Sequence, residues 1–492
     1  MTPAAHRAFV LATCTAVTFL YAMSVTVANV SLPQIQGALS ATQDQVAWVV
    51  TSNIVATAVA TPLSGWLAAR FGWRMVCAGC TVGFGIATVG CGMAGSLETL
   101  VFWRALQGAF GAPLVPVSQA IVLDSYPREK HGVVISVFGM GSVAGPMVGP
   151  MLGGVLSEAY DWRWVFYMMV PFALIALAGV LAFIRDREAP RAVRLDWTGF
   201  LMLAVACASF QLMLDRGERA DWFSSAEIVA WACLAVLGLY LFIAHTLTHP
   251  RPFLDRRLLA DRNFALGLVL IFVYGMLNFT PMTLLPPLLQ GVAGYPDSII
   301  GFLIGSRALG TLTAFFFMIF ASRIDPRVMI TVGFALQAVA GWQLFRLDAN
   351  LGFADVFWPM AVQGFGVGVM WVPITMVTFA SLRGEHLAEG TAVYNMLRNI
   401  GSSAHISLST VLVVRMTQAN HAELTQHVSP YSEAWAFPFA RGSFSLSETS
   451  AIQAEIARQA SMIGYLDAFW FFSLTALAVL PLVLLVRWKR AA

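Results

Sequence analysis

The chain has 492 residues, 58% hydrophobic and only 11% charged, with a formal net charge of +3. A soluble protein carries about 25% charged residues, so much of this surface faces something other than water. No basic soluble domain suggests nucleic acid.

Apolar runs of spanning length recur near 9–33, 45–69, 76–97, 98–122, 131–157, 163–184, 197–214, 226–247, 262–290, 298–320, 326–346, 354–380, 390–414 and 465–487. By the twenty-residue rule these make about fourteen membrane helices. The expected fold class is an all-α polytopic membrane protein. Met1 to Thr13 enters the first run without an Ala-x-Ala site, so that span is expected to be retained. An even count puts both termini on one side. Of the 29 lysines and arginines, nineteen fall in loops on the terminal side, seven on the opposite side, and Arg104, Arg307 and Arg398 within spans. The positive-inside rule then makes the termini cytoplasmic.

In chain order, the first span carries Ser24, Asn29, Ser31 and Pro33. Gly65-Trp-Leu-Ala-Ala-Arg70-Phe-Gly72-Trp-Arg74 follows the second span, its glycines suited to a tight turn. Cys77-Ala-Gly-Cys80 has no second pair and no histidine nearby, so no metal site is expected there. All six cysteines lie in apolar runs and read as small buried residues. Arg104 and Gln107 fall in the fourth span. A buried guanidinium is costly without a partner or water, and its permanent charge can bias a nearby protonation. Snorkelling to the interface is the alternative, because Arg104 lies near the outer end.

The fifth span contains Gly141, Gly145, Pro146, Gly149, Pro150, Gly153 and Gly154. In a soluble helix each glycine costs about 1 kcal/mol and each proline about 3. A membrane bundle tolerates them, and small residues four apart admit a close neighbour. Gly139-x-Gly141-x-x-Ala144 fits a dinucleotide fingerprint formally but follows no strand, and no Walker loop is present.

The runs at 197–214 and 226–247, joined by an acidic–basic turn from Asp215 to Asp221, separate two halves that repeat weakly. Arg70 to Met75 is echoed by Arg323 to Val328, and Gln107-Gly108 by Gln363-Gly364. An offset of roughly 255 residues marks two related bundles with the site at their interface. The expected organisation is an N-terminal six-helix bundle over 1–190, two inserted helices over 191–250, and a C-terminal bundle over 251–492. An external loop over 416–464 is expected to hold a short amphipathic helix between Ser447 and Arg458. Asn395, Arg398, Ser402 and His405, at i, i+3, i+7 and i+10, form a stripe toward the bundle interior or a water-filled cavity. His405 is a candidate proton acceptor or a hydrogen-bonded packing residue, and Arg307 has the same two readings as Arg104. No carboxylate lies deep in a span; Asp124, Asp196, Glu227, Asp355, Glu389 and Asp467 sit near ends.

Several stretches resemble motifs of the major facilitator superfamily. Asn29 and Pro33 match the first-helix motif of its fourteen-span drug–proton antiporters, with Ser24 where that family has aspartate. Gly65 to Arg74 is similar to the superfamily signature after the second helix, with Ala69 in place of the acid; the resemblance implies that Arg70 and Arg74 latch the cytoplasmic ends of the halves. Trp103 to Gly108 resembles the arginine motif. Gly141-x-x-x-Gly145-Pro146-x-x-Gly149-Pro150-x-x-Gly153-Gly154 resembles the antiporter motif of exporters. Leu214 to Ser225, Asp261 to Phe264 and Leu397 to Gly401 extend the likeness over nearly the whole chain. It implies a major facilitator fold and proton-driven efflux of amphipathic, hydrophobic small molecules across a bacterial inner membrane, with no cofactor, metal or enzyme activity. Arg104, Gln107, Ser24, Asn29, Asn395, Arg398, His405 and Arg307 are the pathway candidates. Beyond the lipid bilayer and protons, a periplasmic adaptor and an outer-membrane channel are implied partners. Export of one metabolite or siderophore, and a non-transporting receptor or scaffold, stay open.

Overall fold

A computed structural model describes residues 2–186, 194–250, 252–321, 324–428 and 446–486. Arg323 of the repeat and the middle of the expected external loop lie outside the described residues. The first bundle comprises α1 (Pro3–Val30), α2 (Gln43–Ala60 and, past a bend, Leu63–Phe71), α3 (Trp73–Met93), α4 (Leu97–Gly111 and Leu114–Ser125), α5 (His131–Ala159) and α6 (Trp164–Tyr167 and Met169–Phe183). The inserted pair is α7 (Trp197–Arg216) and α8 (Ala226–Thr248). The second bundle comprises α9 (Arg262–Gly291), α10 (Asp297–Ala321), α11 (Pro326–Phe345), α12 (Phe353–Phe379), α13 (Leu387–Gln426) and α14 (Leu446–Ala478). The two limbs of α2 meet at 57°, where Pro62 supplies no backbone donor.

Among the described residues twelve helices are long and apolar enough to cross a membrane, thirteen with the bent α2. The fourteenth expected span, α13, has ample length at 40 residues, but Thr391, Asn395, His405 and Ser409 dilute its apolar run. All four are buried, so these polar positions are covered by protein and need no lipid-compatible sequence. The outside of the molecule is apolar: Leu174, Ile175, Val236, Tyr240, Phe316, Phe320 and Trp358 are between 61% and 70% exposed. A soluble monomer does not carry apolar surface on this scale; a hydrocarbon layer covers it.

Within the first bundle α1 packs on α5 and α6, and α4 on α2 and α3. Within the second, α12 packs on α9, α10 and α11, and α13 on α9 and α14. The bundles meet where α5 touches α10 and α12, and where α13 touches the later limbs of α2 and α4. The inserted pair is more than a spacer, because α7 packs on both α2 and α13. Asp215 and Arg216, expected in a turn, form the last turn of α7. The Asp215 carboxylate accepts a hydrogen bond from Thr51 of α2, and the Arg216 guanidinium lies 5.2 Å over the Trp48 ring. The Ser407 hydroxyl of α13 donates to the Leu214 carbonyl at 3.0 Å.

Among the described residues of the loop expected over 416–464, most are helical. No glycine or proline interrupts Met416 to Gln426, so α13 runs on. At 1.5 Å per residue it measures about 60 Å, twice the hydrocarbon thickness of about 30 Å, and its last turns leave the membrane. The stretch from Ser447 to Arg458 is the start of α14 rather than a separate helix. Arg458 binds Glu455 at 2.9 Å and the Ala349 carbonyl at 3.3 Å. Residues 429–445 lie outside the described residues.

Candidate functional site

The glycines of α5 face α1. A Cβ on Gly141 would collide with Thr15, and one on Gly145 would lie 2.7 Å from the Phe19 carbonyl oxygen and 2.8 Å from the Met23 nitrogen. One on Gly149 would meet Met23 at 3.0 Å, and one on Gly153 would meet Val27 at 2.9 Å. The contacts climb both helices together, so α1 and α5 run parallel at close range. Gly154 is half-buried beside this row. Pro150 has no N–H to offer the Pro146 carbonyl; the Thr26 hydroxyl of α1 reaches that oxygen at 3.4 Å. The opposite face of α5 meets the second bundle. A Cβ on Gly139 would lie 2.6 Å from Phe315 and 2.7 Å from Trp371, and Phe138 stacks on Trp371. One helix thus carries a smooth surface inside its own bundle and a contact with the other.

Each bundle holds a buried guanidinium. Arg104, 1% exposed, donates from Nε to the Val49 carbonyl at 3.0 Å and from Nη1 to Gln107. Gln107 donates on to the Thr88 hydroxyl at 2.8 Å. Across α2 and α4, Asn53 donates to the Arg104 carbonyl at 3.1 Å and Thr57 to the Gly108 carbonyl at 3.3 Å. In the second bundle Arg307, 8% exposed, donates to Gln363 at 2.8 Å and to the Asn278 side chain at 2.6 Å. Thr311 donates to the Gly364 carbonyl at 2.9 Å. Asn53-x-x-x-Thr57 against Gln107-Gly108 therefore reappears as Arg307-x-x-x-Thr311 against Gln363-Gly364. Gly108 and Gly364 are needed there, since a Cβ on either would strike the facing backbone oxygen of Asn53 or Arg307. The cation has changed helices between the repeats, coming from α4 in one and α10 in the other. Both guanidiniums turn inward instead of snorkelling, and neither makes an ion pair among the described residues.

Between the bundles, Asn395 of α13 donates to Gln119 of α4 at 2.9 Å. Arg398, one turn on, is half-buried and lies within electrostatic reach of Tyr21 on α1 and of Tyr274 and Tyr394. Tyr21 is also within reach of Arg104, so its phenol feels a charge of each bundle. Spacing does not mark Tyr21; the signal for it is a phenol inside an apolar span, which needs a polar partner.

The rest of the stripe turns elsewhere. Ser402 is half-buried. His405 is buried inside the second bundle, its Nδ1 2.8 Å from the Thr280 hydroxyl and its ring stacked on Phe471 at 5.0 Å. Ten residues, about 15 Å, along α13 from Asn395, the neighbours are α9 and α14 instead of α4. Asn395 and Arg398 thus come together at the seam while His405 does not join them. Ser24 is satisfied within its own helix, donating to the Tyr21 carbonyl at 2.7 Å. Asn29 lies on α1, and its side chain is outside the described residues. A cavity of about 500 Å³ lined by Arg74, Met75, Gly79, Val82, Leu181 and Asp186 lies between α3 and α6, away from the seam.

The contacts between bundles cluster toward the face that carries the termini. Arg128 donates to the Leu382 carbonyl at 3.1 Å, and a Cβ on Gly65 would lie 2.8 Å from the Glu389 Cα. The arginine latch implied by the family signature takes a different form here. Arg74 donates to the Leu181 carbonyl at 2.8 Å and, through its backbone, to Asp186 at 3.0 Å, both in its own bundle. Gly72 makes the turn with φ of 83°, and Arg70 is exposed. The cross-bundle contacts at this face are the Gly65 backbone against α13 and the Arg128 guanidinium on the Leu382 carbonyl.

Glu389 stands in the first turn of α13, before its span, and accepts the Asp255 N–H at 2.8 Å. Burial first, then the Asp255 carboxylate, push its carboxyl up to about 7 against the pull of that N–H. Opening this face would return the group toward 4.5. Its contribution to closure is therefore full below 4.5 and lost as pH rises through about 7. The distance between spin labels at Ala69 and Arg383 is expected to lengthen over that window, and Glu389→Gln to stay short throughout. An unchanged pH profile in Glu389→Gln would assign the closure to another group.

The chain matches the Major Facilitator Superfamily over residues 14–404. It is 34% identical over 475 residues to the multidrug export protein EmrB of Escherichia coli (strain K12), covering 95% of this chain and 92% of that protein. It is 31% identical over 477 residues to the fatty acid resistance protein FarB of Neisseria gonorrhoeae, covering 95% and 94%. Its fold is similar to that of the human organic anion transporter MFSD10, with a TM-score of 0.63 at 14% identity over 97% of this chain and 99% of that one. The proton:xylose symporter XylE gives the same TM-score, 0.63, at 13% identity over 98% and 97%. Those two likenesses concern the fold alone. By the family match and the identity to export proteins over almost its full length, the chain belongs to the major facilitator superfamily, in its EmrB-like drug-exporter branch.

Proposed function

We propose that the protein expels amphipathic small molecules across the bacterial inner membrane in exchange for protons, its two bundles rocking about the seam. The observation that carries this reading is the glycine face of α5, seated on α1 and backed by Gly139 against the second bundle. A surface without side-chain ridges lets the seam rearrange while α1 and α5 stay in contact. Alternating access of this kind places the passage between related bundles.

The terminal face is assigned to the cytoplasm on the loop charges, so the described arrangement is closed toward the cytoplasm. Arg104 with Gln107, Arg307, and the Asn395–Arg398 pair are assigned to the passage, where their fixed charges bias proton occupancy. Glu389 supplies a titratable group at the cytoplasmic gate, and His405 braces α9 against α13 and α14. The lengths of α13 and α14 that pass beyond the membrane offer a periplasmic adaptor a place to dock.

In proteoliposomes under a proton gradient, a cationic dye is expected to move against the proton flow, with matching change of internal pH. Collapsing the gradient with a proton-exchanging ionophore is expected to stop both. Dye movement that survives the collapse would remove protons from the mechanism.

A further inference from the structure

Three ligand-bearing side chains meet where the inserted pair returns to the terminal face. Asp196 caps the start of α7, His245 lies in the last turn of α8, and His249 is that helix's C-cap. They meet because α7 and α8 are antiparallel and close: a Cβ on Gly238 would lie 3.1 Å from the Met202 carbonyl oxygen and 3.0 Å from the Ala206 nitrogen. The His245 Nε2 is 3.0 and 2.9 Å from the two Asp196 oxygens. The His249 ring stacks on His245 at 4.8 Å between centroids. One donor atom from each residue lies within 4.8 Å of the others. The Asp196 carboxylate is held in place by the backbone N–H groups of Gly199 and Phe253, each at 3.0 Å. Its side chain is 9% exposed and that of His245 17%.

We propose that Asp196, His245 and His249 form a binding site for a divalent transition-metal ion of the zinc class, with water completing the coordination. Two imidazoles four residues apart, one in the last turn of α8 and one at its cap, with a carboxylate from another element, make a nitrogen and oxygen set that such ions take. Calcium and magnesium prefer oxygen ligands throughout. Bonds of about 2.0–2.1 Å to nitrogen and 2.0–2.2 Å to oxygen span the 2.9 Å between His245 and Asp196 at close to a right angle. A tetrahedral ion holds two such donors about 3.4 Å apart, so His245 and Asp196 would part by roughly half an ångström as the ion displaces the proton between them, and His249 would reach it by turning its ring. The Gly199 and Phe253 N–H groups orient the carboxylate from outside, the part that outer partners play at metal centres. Binding would clamp the first turn of α7 to the last turn of α8. That pair covers the groove between α2 and α13, where Leu203, Cys207 and Phe242 pack with Ala58, Met396 and Ile400.

The full-length protein in nanodiscs, stripped with a chelator, tests this by cobalt(II) titration. One ion per chain is expected to bind saturably, with visible bands of a nitrogen-ligated ion, and zinc should displace it. Zinc should also raise the melting temperature. His249→Ala keeps the Asp196–His245 pair and the caps of α7. It is expected to weaken metal affinity by on the order of tenfold or more and to lose the zinc-dependent rise in melting temperature, each protein being compared with its own metal-free form. Absence of saturable binding, or equal affinity in parent and His249→Ala, would overturn the assignment.

Discussion

Gly145→Leu is expected to lower export on the order of tenfold or more, the first of two large effects. The Cβ alone would sit 2.7 Å from the Phe19 carbonyl oxygen and 2.8 Å from the Met23 nitrogen, both backbone atoms that cannot swing aside. Overpacking of this kind costs about 1–3 kcal/mol. In a membrane, close packing of small residues is itself a main attraction between helices, so the α1–α5 contact loses its basis. Met151 lies on the same helix and is 70% exposed; Met151→Leu is the matched control and should behave like the parent. Dye efflux per folded protein, with folding checked by size-exclusion profile, decides it. Parent-like efflux in Gly145→Leu would mean that the glycine face has no part in the transport cycle.

Arg104→Lys is expected to fail nearly as completely as Arg104→Ala. The guanidinium serves the Val49 carbonyl through Nε and Gln107 through Nη1. An ammonium is a point charge without that fork and leaves one of the two acceptors unpaired. A buried acceptor left unpaired costs about 1–3 kcal/mol, and about 1.4 kcal/mol is a factor of ten in rate. Efflux by Arg104→Lys should therefore drop by roughly ten- to a hundredfold. Turnover restored by lysine would show that charge alone matters and that the network around Gln107 is incidental.

Much of this was legible in the sequence because hydrocarbon length and glycine spacing are local properties. The crossings follow from apolar runs, and the α5 glycines mark a groove before any partner is known. Their partner, α1, is not local and emerges only from the fold. The pair Gln107-Gly108 and Gln363-Gly364 showed the repeat, but the cation that accompanies it sits on α4 in one bundle and α10 in the other, so no alignment of like residues finds it. The face holding Asn395, Arg398 and His405 is continuous on the helix, yet the helices around α13 change along its length and separate the histidine from the seam. Helix ends misled for a related reason: Met416 to Gln426 is polar enough to read as loop, but it has nothing that stops a helix already under way. Glu389 and the Asp196–His245–His249 group each depend on contacts between distant segments, which composition cannot express.

Reciprocal opening of the two faces is the central claim, and double electron–electron resonance on two label pairs measures it directly. Ala69 and Arg383 lie exposed on the terminal face, and Ala38 and Gly291 lie exposed on the other. Rocking about the seam predicts that lowering pH shortens the first distance and lengthens the second, and that raising pH with substrate present reverses both. Two distances that rise and fall together, or that ignore pH and substrate alike, would contradict it.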